Sequence, residues 1–255
     1  MGGLSFRATV PVIDANVGVG NQRDDIALLQ TADEMLAEMD RHGVSRAVVY
    51  HRMGEARSAT EGNERLESII DGREDSLAPQ WVVDSWPDSL QQAKDYHASS
   101  RVSSLRLHDS ATANVPLTDW IYGELLEWMS SEGIPLWVSF ADNDIAALVA
   151  LLRAFPDLDT VLVGAHQMHT SSVRPALRVL PRARLELSRY EPFAQIELLK
   201  DEFGIERLLY GSYYPRYAMG PMLYSLHHQE FSVEELSLVC AGNVNALLGG
   251  RWWND

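Results

Sequence analysis

One cysteine, Cys240, occurs in 255 residues, so the chain cannot form an intrachain disulfide. It falls in a helical apolar pattern and reads as a small core residue. No apolar run is long enough to span a bilayer. The opening stretch, Met1 to Phe6, has neither a basic region nor an apolar run, so no secretory signal is expected. Phe6 also stands where a myristoylation signal needs Ser or Thr. A cytoplasmic location is the expectation. Basic residues are scarce: 21 Lys and Arg face 36 Asp and Glu, a net charge of −15. Such a surface repels phosphate backbones, so neither nucleic acid nor membrane is an expected partner. Several catalytic signatures are missing too. There is no Gly-x-Ser-x-Gly elbow, no Gly-Lys-Ser/Thr phosphate loop and no His-Glu-x-x-His helix.

What is present is an alternation of strand and helix patterns. Val10 to Gly18 reads as a short buried strand ending in a polar tip, Asp14 and Asn16. A polar loop, Gly18 to Gln30, contains Asn21, Arg23, Asp24 and Asp25. Thr31 to Glu34 is a capping box. Behind it Ala32, Met35, Leu36 and Met39 share one helical face, and Gly43 stops the helix. Further strands are expected at Ser45 to His51, Leu77 to Val83, Val102 to His108, Ile134 to Phe140, Thr160 to His166, Arg184 to Ser188 and Arg207 to Ser212. Pro79 weakens the strand that contains it. Helices are expected at Asn63 to Ile70, Asp88 to Ser99, Thr118 to Glu132, around Ile145 to Leu152 and around Ser172 to Leu180. Later ones are expected through Phe193, Ile196, Leu199 and Phe203, near Met219 to His228, and from Ser232 to Leu248. Strand–helix alternation argues for a parallel sheet. Eight such units in one chain of this length argue for a closed (β/α)8 TIM barrel. The expectation is a single α/β domain over residues 1–255 with an extra C-terminal helix. An open doubly wound sheet is discounted, because Gly18-Val19-Gly20 lacks the third glycine of a dinucleotide turn.

Several stretches, in order, carry a resemblance. They are Ile13 to Gly18, Met35 to Val49, Gly62 to Arg65, Phe155 to His166, Arg207 to Pro215 and Cys240 to Gly249. Together they resemble the amidohydrolase-related branch of the amidohydrolase superfamily, which contains carboxymuconate-semialdehyde decarboxylases and lactone hydrolases. The resemblance implies a divalent metal held by two His on strand one, a His on strand five, a His on strand six and an Asp on strand eight. The corresponding residues here are Asn16, Gly18, Ser139, His166 and Tyr213. Neutral amide, hydroxyl and phenol groups are poor substitutes for imidazole and carboxylate around zinc. The expectation is therefore a degenerate site with no metal and no other cofactor. A rebuilt site from His51, His108, His166 and His169 is the competing reading, set against scattered loop histidines.

Two functional readings follow. One is a metal-independent hydrolase or lyase of a small carboxylate-bearing substrate such as a lactone or ester. In it His166 serves as acid or base, with Asp14 and Tyr213 as further catalytic candidates. Asn16, Arg106, His108, Glu186, Tyr214 and Arg216 are the substrate-binding candidates. An arginine can clamp a carboxylate with two parallel bonds, and Tyr213 or Asn16 can donate to an oxyanion. The other reading is an inactive barrel that binds a metabolite or a protein. It has Arg106 pairing with a buried Glu186 or Asp14, and Tyr213, Tyr214, Tyr217 and Trp81 filling the mouth. The Trp-rich tail, Arg251 to Asp255, makes a second copy of the chain a candidate partner, although packing onto the barrel is the plainer role.

Overall fold

A computed structural model describes residues 6–22, 29–108, 110–192, 194–250 and 252. Arg23, Asp24, Asp25, Phe193, Arg251 and the tail beyond Trp252 lie outside the described residues.

Among the described residues nine short parallel strands follow one another: β1 (Ile13–Val19), β2 (Arg46–His51), β3 (Leu77–Pro79), β4 (Trp81–Val83), β5 (Leu105–Leu107), β6 (Leu136–Ser139), β7 (Thr160–Val163), β8 (Ala183–Glu186) and β9 (Leu208–Leu209). They form two ladders, β1-β2-β3 and β4 through β9, each in chain order. The strand expected at Leu77 to Val83 is thus split at Gln80. Pro79 has no N–H to give the ladder. Gln80 N instead donates to Val49 O at 2.8 Å, which carries the sheet across the break. At the other seam Ala15 N donates to Tyr210 O (3.2 Å) and Gly18 N to Tyr214 O (2.7 Å), so β1 meets the end of β9. The ring of eight staves is a (β/α)8 TIM barrel.

Period-two alternation sorts the side chains into two layers, with β1 changing phase at a register irregularity between Asp14 and Val17. Ile13, Ala15, Val48, Trp137, Val161, Val163 and Leu209 fill the interior, where Ala241, Val244 and Leu248 of the last helix close one end. Val17, Val49, Leu105, Leu107, Leu136, Val138, Leu162 and Leu185 pack outward against helix residues such as Met35, Met39, Leu66 and Leu126. Trp137 Nε1 donates to Ala15 O (3.0 Å) across the barrel. The buried side chains stabilise the fold by roughly 1.5–3 kcal/mol each, before ordering entropy is subtracted.

The helices begin and end where their sequences dictate. Thr31 caps Ala32–His42: Glu34 N donates to Thr31 Oγ1 (3.2 Å), while Thr31 N donates to Glu34 Oε2 (3.1 Å). Gly43 ends it at φ 73°. A short helix, Arg52–Ala56, stands between β2 and the longer Ala59–Ile70, where no helix was expected. Five residues are too few to show a period. His51 Nδ1 caps it by accepting from Met53 N at 3.2 Å. The continuous helix expected from Ser232 to Leu248 is divided into Val233–Ser237, a wide π-type turn Leu238–Gly242, and Asn243–Leu247. The turn lies where Val239 O accepts from Tyr210 N (2.8 Å), a bond that ties the last helix to the end of β9. Trp252 folds back on the interior cluster, and its N donates to Asn245 Oδ1 (2.9 Å). Among the described residues no helix is long and apolar enough to cross a membrane.

Candidate functional site

At the carboxyl ends of the strands the interior turns from apolar to polar. Leu105 and Leu107 face the helices, so Arg106 between them enters the barrel. Its guanidinium is almost wholly buried. Nε donates to Glu55 Oε1 at 2.7 Å. Nη2 lies 2.7 Å from the same oxygen but is not aligned for a hydrogen bond. Nη1 donates to Asn16 Oδ1 (3.2 Å) and Gln80 Oε1 (3.3 Å). The guanidinium carbon sits 3.9 Å from the Tyr50 ring centre and 5.5 Å from that of Tyr213. Burial works against its charge, but Glu55, Tyr50 and Tyr213 together more than offset this, and Arg106 is held above its ordinary range.

Asn16 joins this cation to a buried carboxylate. Its Nδ2 donates to Glu186 Oε2 at 3.2 Å. Glu186 also accepts from Ser188 N (2.7 Å), Ser188 Oγ (3.0 Å) and Gly164 N (3.3 Å). Burial still pushes the Glu186 carboxyl above its ordinary value. Arg106 therefore pairs with Glu55, not with Glu186 or Asp14. The sequence hid this partner because Glu55 sits on the unexpected short helix. Tyr50 and Gln80 were missed as well. Tyr50 had a signal, since it repeats the inward phase of Val48 two residues earlier.

The residues aligned with the implied ligand positions each have another occupation. A Cβ at Gly18 would lie 2.8 Å from Arg52 Cγ and 3.1 Å from Tyr50 Cζ, so that space is taken. Ser139 Oγ donates to Asp142 Oδ2 at 2.9 Å. Tyr213 is buried with φ 55°, in the left-handed region. His166 Nδ1 accepts from Met168 N (3.4 Å), and its own backbone N donates to His169 Nδ1 (3.2 Å).

The four histidines weighed as a rebuilt site fall in three separate places, with His166 and His169 paired. His51 packs over Gly20, and burial, with help from Arg65 and Arg52, pushes it down to about 4. His108 Nε2 is 2.7 Å from the Tyr122 hydroxyl. His166 and His169 stand ring against ring at 4.1 Å. Among the described residues no three His, Cys, Asp or Glu side chains are grouped to hold a metal ion.

A second cluster lies at the rim and is partly open to solvent. Arg216 Nη1 donates to Asp142 Oδ2 at 2.8 Å, with 39% and 31% of the two side chains exposed. The Tyr213 hydroxyl donates weakly to the same oxygen (3.5 Å), and the Arg216 guanidinium lies 4.6 Å from the Tyr213 ring centre. Partial burial alone would raise the Asp142 carboxyl. The Arg216 charge and the bonds from Arg216 and Ser139 win and hold it below its ordinary value. His169 is lowered by burial and by the adjacent His166, and it also feels Asp142. Asp142 lies three residues past the end of β6, in the loop from which barrels present chemistry. It was not among the candidates read from the sequence.

Other candidates stand apart from both clusters. Asp14 lies between inward-facing Ile13 and Ala15, so alternation turns it to the outer side of β1. It is buried there, its Oδ1 accepting from Ser212 N (2.8 Å) and Asn16 N (3.0 Å), while Oδ2 has no hydrogen-bond partner. Burial pushes it up to about 7. Asp14 is thus neither the polar tip expected of its strand nor near the rim cluster. Tyr214 is half-buried, and the charges it feels are Glu38 and Arg41 of the first helix. Trp81 does not fill the mouth. It stacks on Tyr96 (4.3 Å), and its Nε1 donates to Arg101 O (2.9 Å).

Comparison with solved structures places the fold among known barrels. A 5-carboxyvanillate decarboxylase from Sphingomonas paucimobilis superposes with a TM-score of 0.71 at 14% identity, covering 94% of this chain and 99% of that one. A putative 2-pyrone-4,6-dicarboxylic acid hydrolase from Pseudomonas putida gives 0.70 at 18%, covering 94% and 98%. A dihydroxybenzoic acid decarboxylase from a Polaromonas species, solved with bound manganese and an inhibitor, gives 0.72 at 10%, covering 94% and 97%. At such identities the likeness speaks for the fold. No curated protein matches the sequence. A sequence model described as amidohydrolase matches residues 14–250, nearly the whole chain, and on that match the chain belongs to the amidohydrolase family.

Proposed function

We propose that the protein is a metal-independent member of this family that takes a small carboxylate-bearing molecule at the barrel rim and hydrolyses or decarboxylates it. The observation that carries this reading is the contrast between the two clusters. The inner residues Arg106, Asn16, Gln80 and Glu186 are buried and bonded to one another, while Arg216, Asp142, His166 and His169 stay within reach of solvent. Arg216 would exchange its bond to Asp142 for a bond to a substrate carboxylate, which a guanidinium fork suits. His166 would move the proton, as base toward water or as acid toward the leaving group or carbon. The related structures are named for carboxylate substrates, which favours the same substrate class. Metal independence rests on donor chemistry. Asn16, Gly18, Ser139 and Tyr213 supply no imidazole and no carboxylate, and each is otherwise engaged.

The second reading, binding without turnover, is favoured by the same sealed interior, which offers no inner group to a reacting atom. A panel of aromatic carboxylates, lactones and pyrone carboxylates separates the two. Turnover that survives chelation and is abolished in His166→Ala supports the enzyme. Binding by calorimetry, weakened in Arg216→Gln and without turnover, supports the binding module. If Arg216→Gln leaves both unchanged, the rim is not the site.

A further inference from the structure

Arg106 reaches three of the positions that the family resemblance assigns to metal ligands. Its Nη1 donates to Asn16 Oδ1 (3.2 Å). Its flat face lies on Tyr50, whose ring takes the space a side chain at Gly18 would need. Tyr213 flanks it at 5.5 Å. Asn16 and Gln80 present oxygens to the guanidinium, and the Glu55 carboxylate neutralises it. A divalent ion brought to Asn16 would meet a fixed cation within a few ångströms, in a buried setting where repulsion is little screened. These residues do not fit a metal.

We propose that the Arg106 guanidinium stands in for the family's metal ion at the strand-one end of that site, and that it ties β1, β2, β5, the Gln80 link between β3 and β4 and the short helix together. The proposal rests on the metal-independent reading of function. A guanidinium offers five donors in a fixed plane and two faces for aromatic stacking, so it can hold neutral oxygens, a carboxylate and tyrosines at once. Gly18 and Tyr50 are then one change seen from two sides: removing a side chain at 18 admits the ring on which the guanidinium lies. Arg106 is here a positioning residue and touches no substrate.

The test uses wild-type protein first. With the arginine Nε groups labelled by nitrogen-15, the Arg106 Nε–H should exchange slowly with solvent, and its signal should stay sharp when one equivalent of manganese(II) is added. Selective broadening of that signal by manganese would overturn the proposal. Turnover that needs a metal while the signal stays sharp would overturn the functional reading alone. Arg106→Ala is the second arm, expected to melt about 10 °C lower. Methylguanidinium should recover part of that loss, and manganese or zinc none of it. Recovery by metal and not by methylguanidinium would refute the idea. Should Arg106→Ala fail to fold, the manganese titration of wild type still decides.

Discussion

Asp14→Asn should make stability rise with pH where wild type changes little. The Asp14 carboxyl is raised from 3.8 to about 7, chiefly because burial penalises the charge more than the N–H groups of Ser212 and Asn16 repay it. The folded state therefore holds this proton more tightly than the unfolded chain. The resulting stability is fully present below pH 3.8 and is lost as the pH climbs toward 7. A shift of that size corresponds to roughly 4 kcal/mol across the window. His51 works in the opposite sense. Its pKa falls from 6.5 to about 4, so its contribution is present above 6.5 and lost as the pH drops. That shift corresponds to about 3 kcal/mol. In wild type the two slopes nearly cancel. Asparagine keeps an oxygen for the Ser212 and Asn16 N–H groups and removes the titration. The variant should therefore become more stable as pH rises, because the His51 contribution is no longer offset by Asp14. Above neutrality it should exceed wild type by about 1–3 kcal/mol, after subtracting the cost of burying its amide N–H. Urea unfolding at a series of pH values, with constant m-value, measures this. A flat profile in Asp14→Asn, or a variant weaker than wild type at alkaline pH, would refute the assignment.

Other perturbations follow from single contacts. Glu55→Gln leaves the Arg106 charge without its anion and should cost roughly 3 kcal/mol by chemical denaturation; a cost under ~1 kcal/mol would mean the pair is not formed. Gly20→Ala places a Cβ 2.1 Å from His51 Nε2 at φ 72°, and should destabilise by at least about 2 kcal/mol in thermal melts. Thr31→Ala removes a side-chain cap and should cost about 1 kcal/mol, with amide exchange quickening at Glu34. In Arg216→Gln the Asp142 carboxyl should titrate at higher pH, read by carbon-13 NMR, because the neighbour that lowers it is gone.

The order and type of the barrel's elements were written in local pattern. Capping residues, glycine stops and the two periodicities are properties of neighbouring residues, and they placed eight staves and the capping box at Thr31. Boundaries were less legible. Leu77 to Val83 gave way at Gln80 because proline lacks a donor, and the last helix widened where Tyr210 N reaches Val239 O, a partner far away in the chain. The resemblance carried the family and left the site open, because a ligand position is read one residue at a time and its replacement is a contact between many. Only the folded chain joined Arg106 to Glu55, 51 positions apart, and to Asn16, 90 apart. Only the fold turned Asp14 to the outer side of its strand while keeping Asn16 within reach of Arg106. Sequence determined which side chains could carry charge inside the barrel. Tertiary structure decided which of them meet, because a buried charge persists only where the fold brings a partner to it.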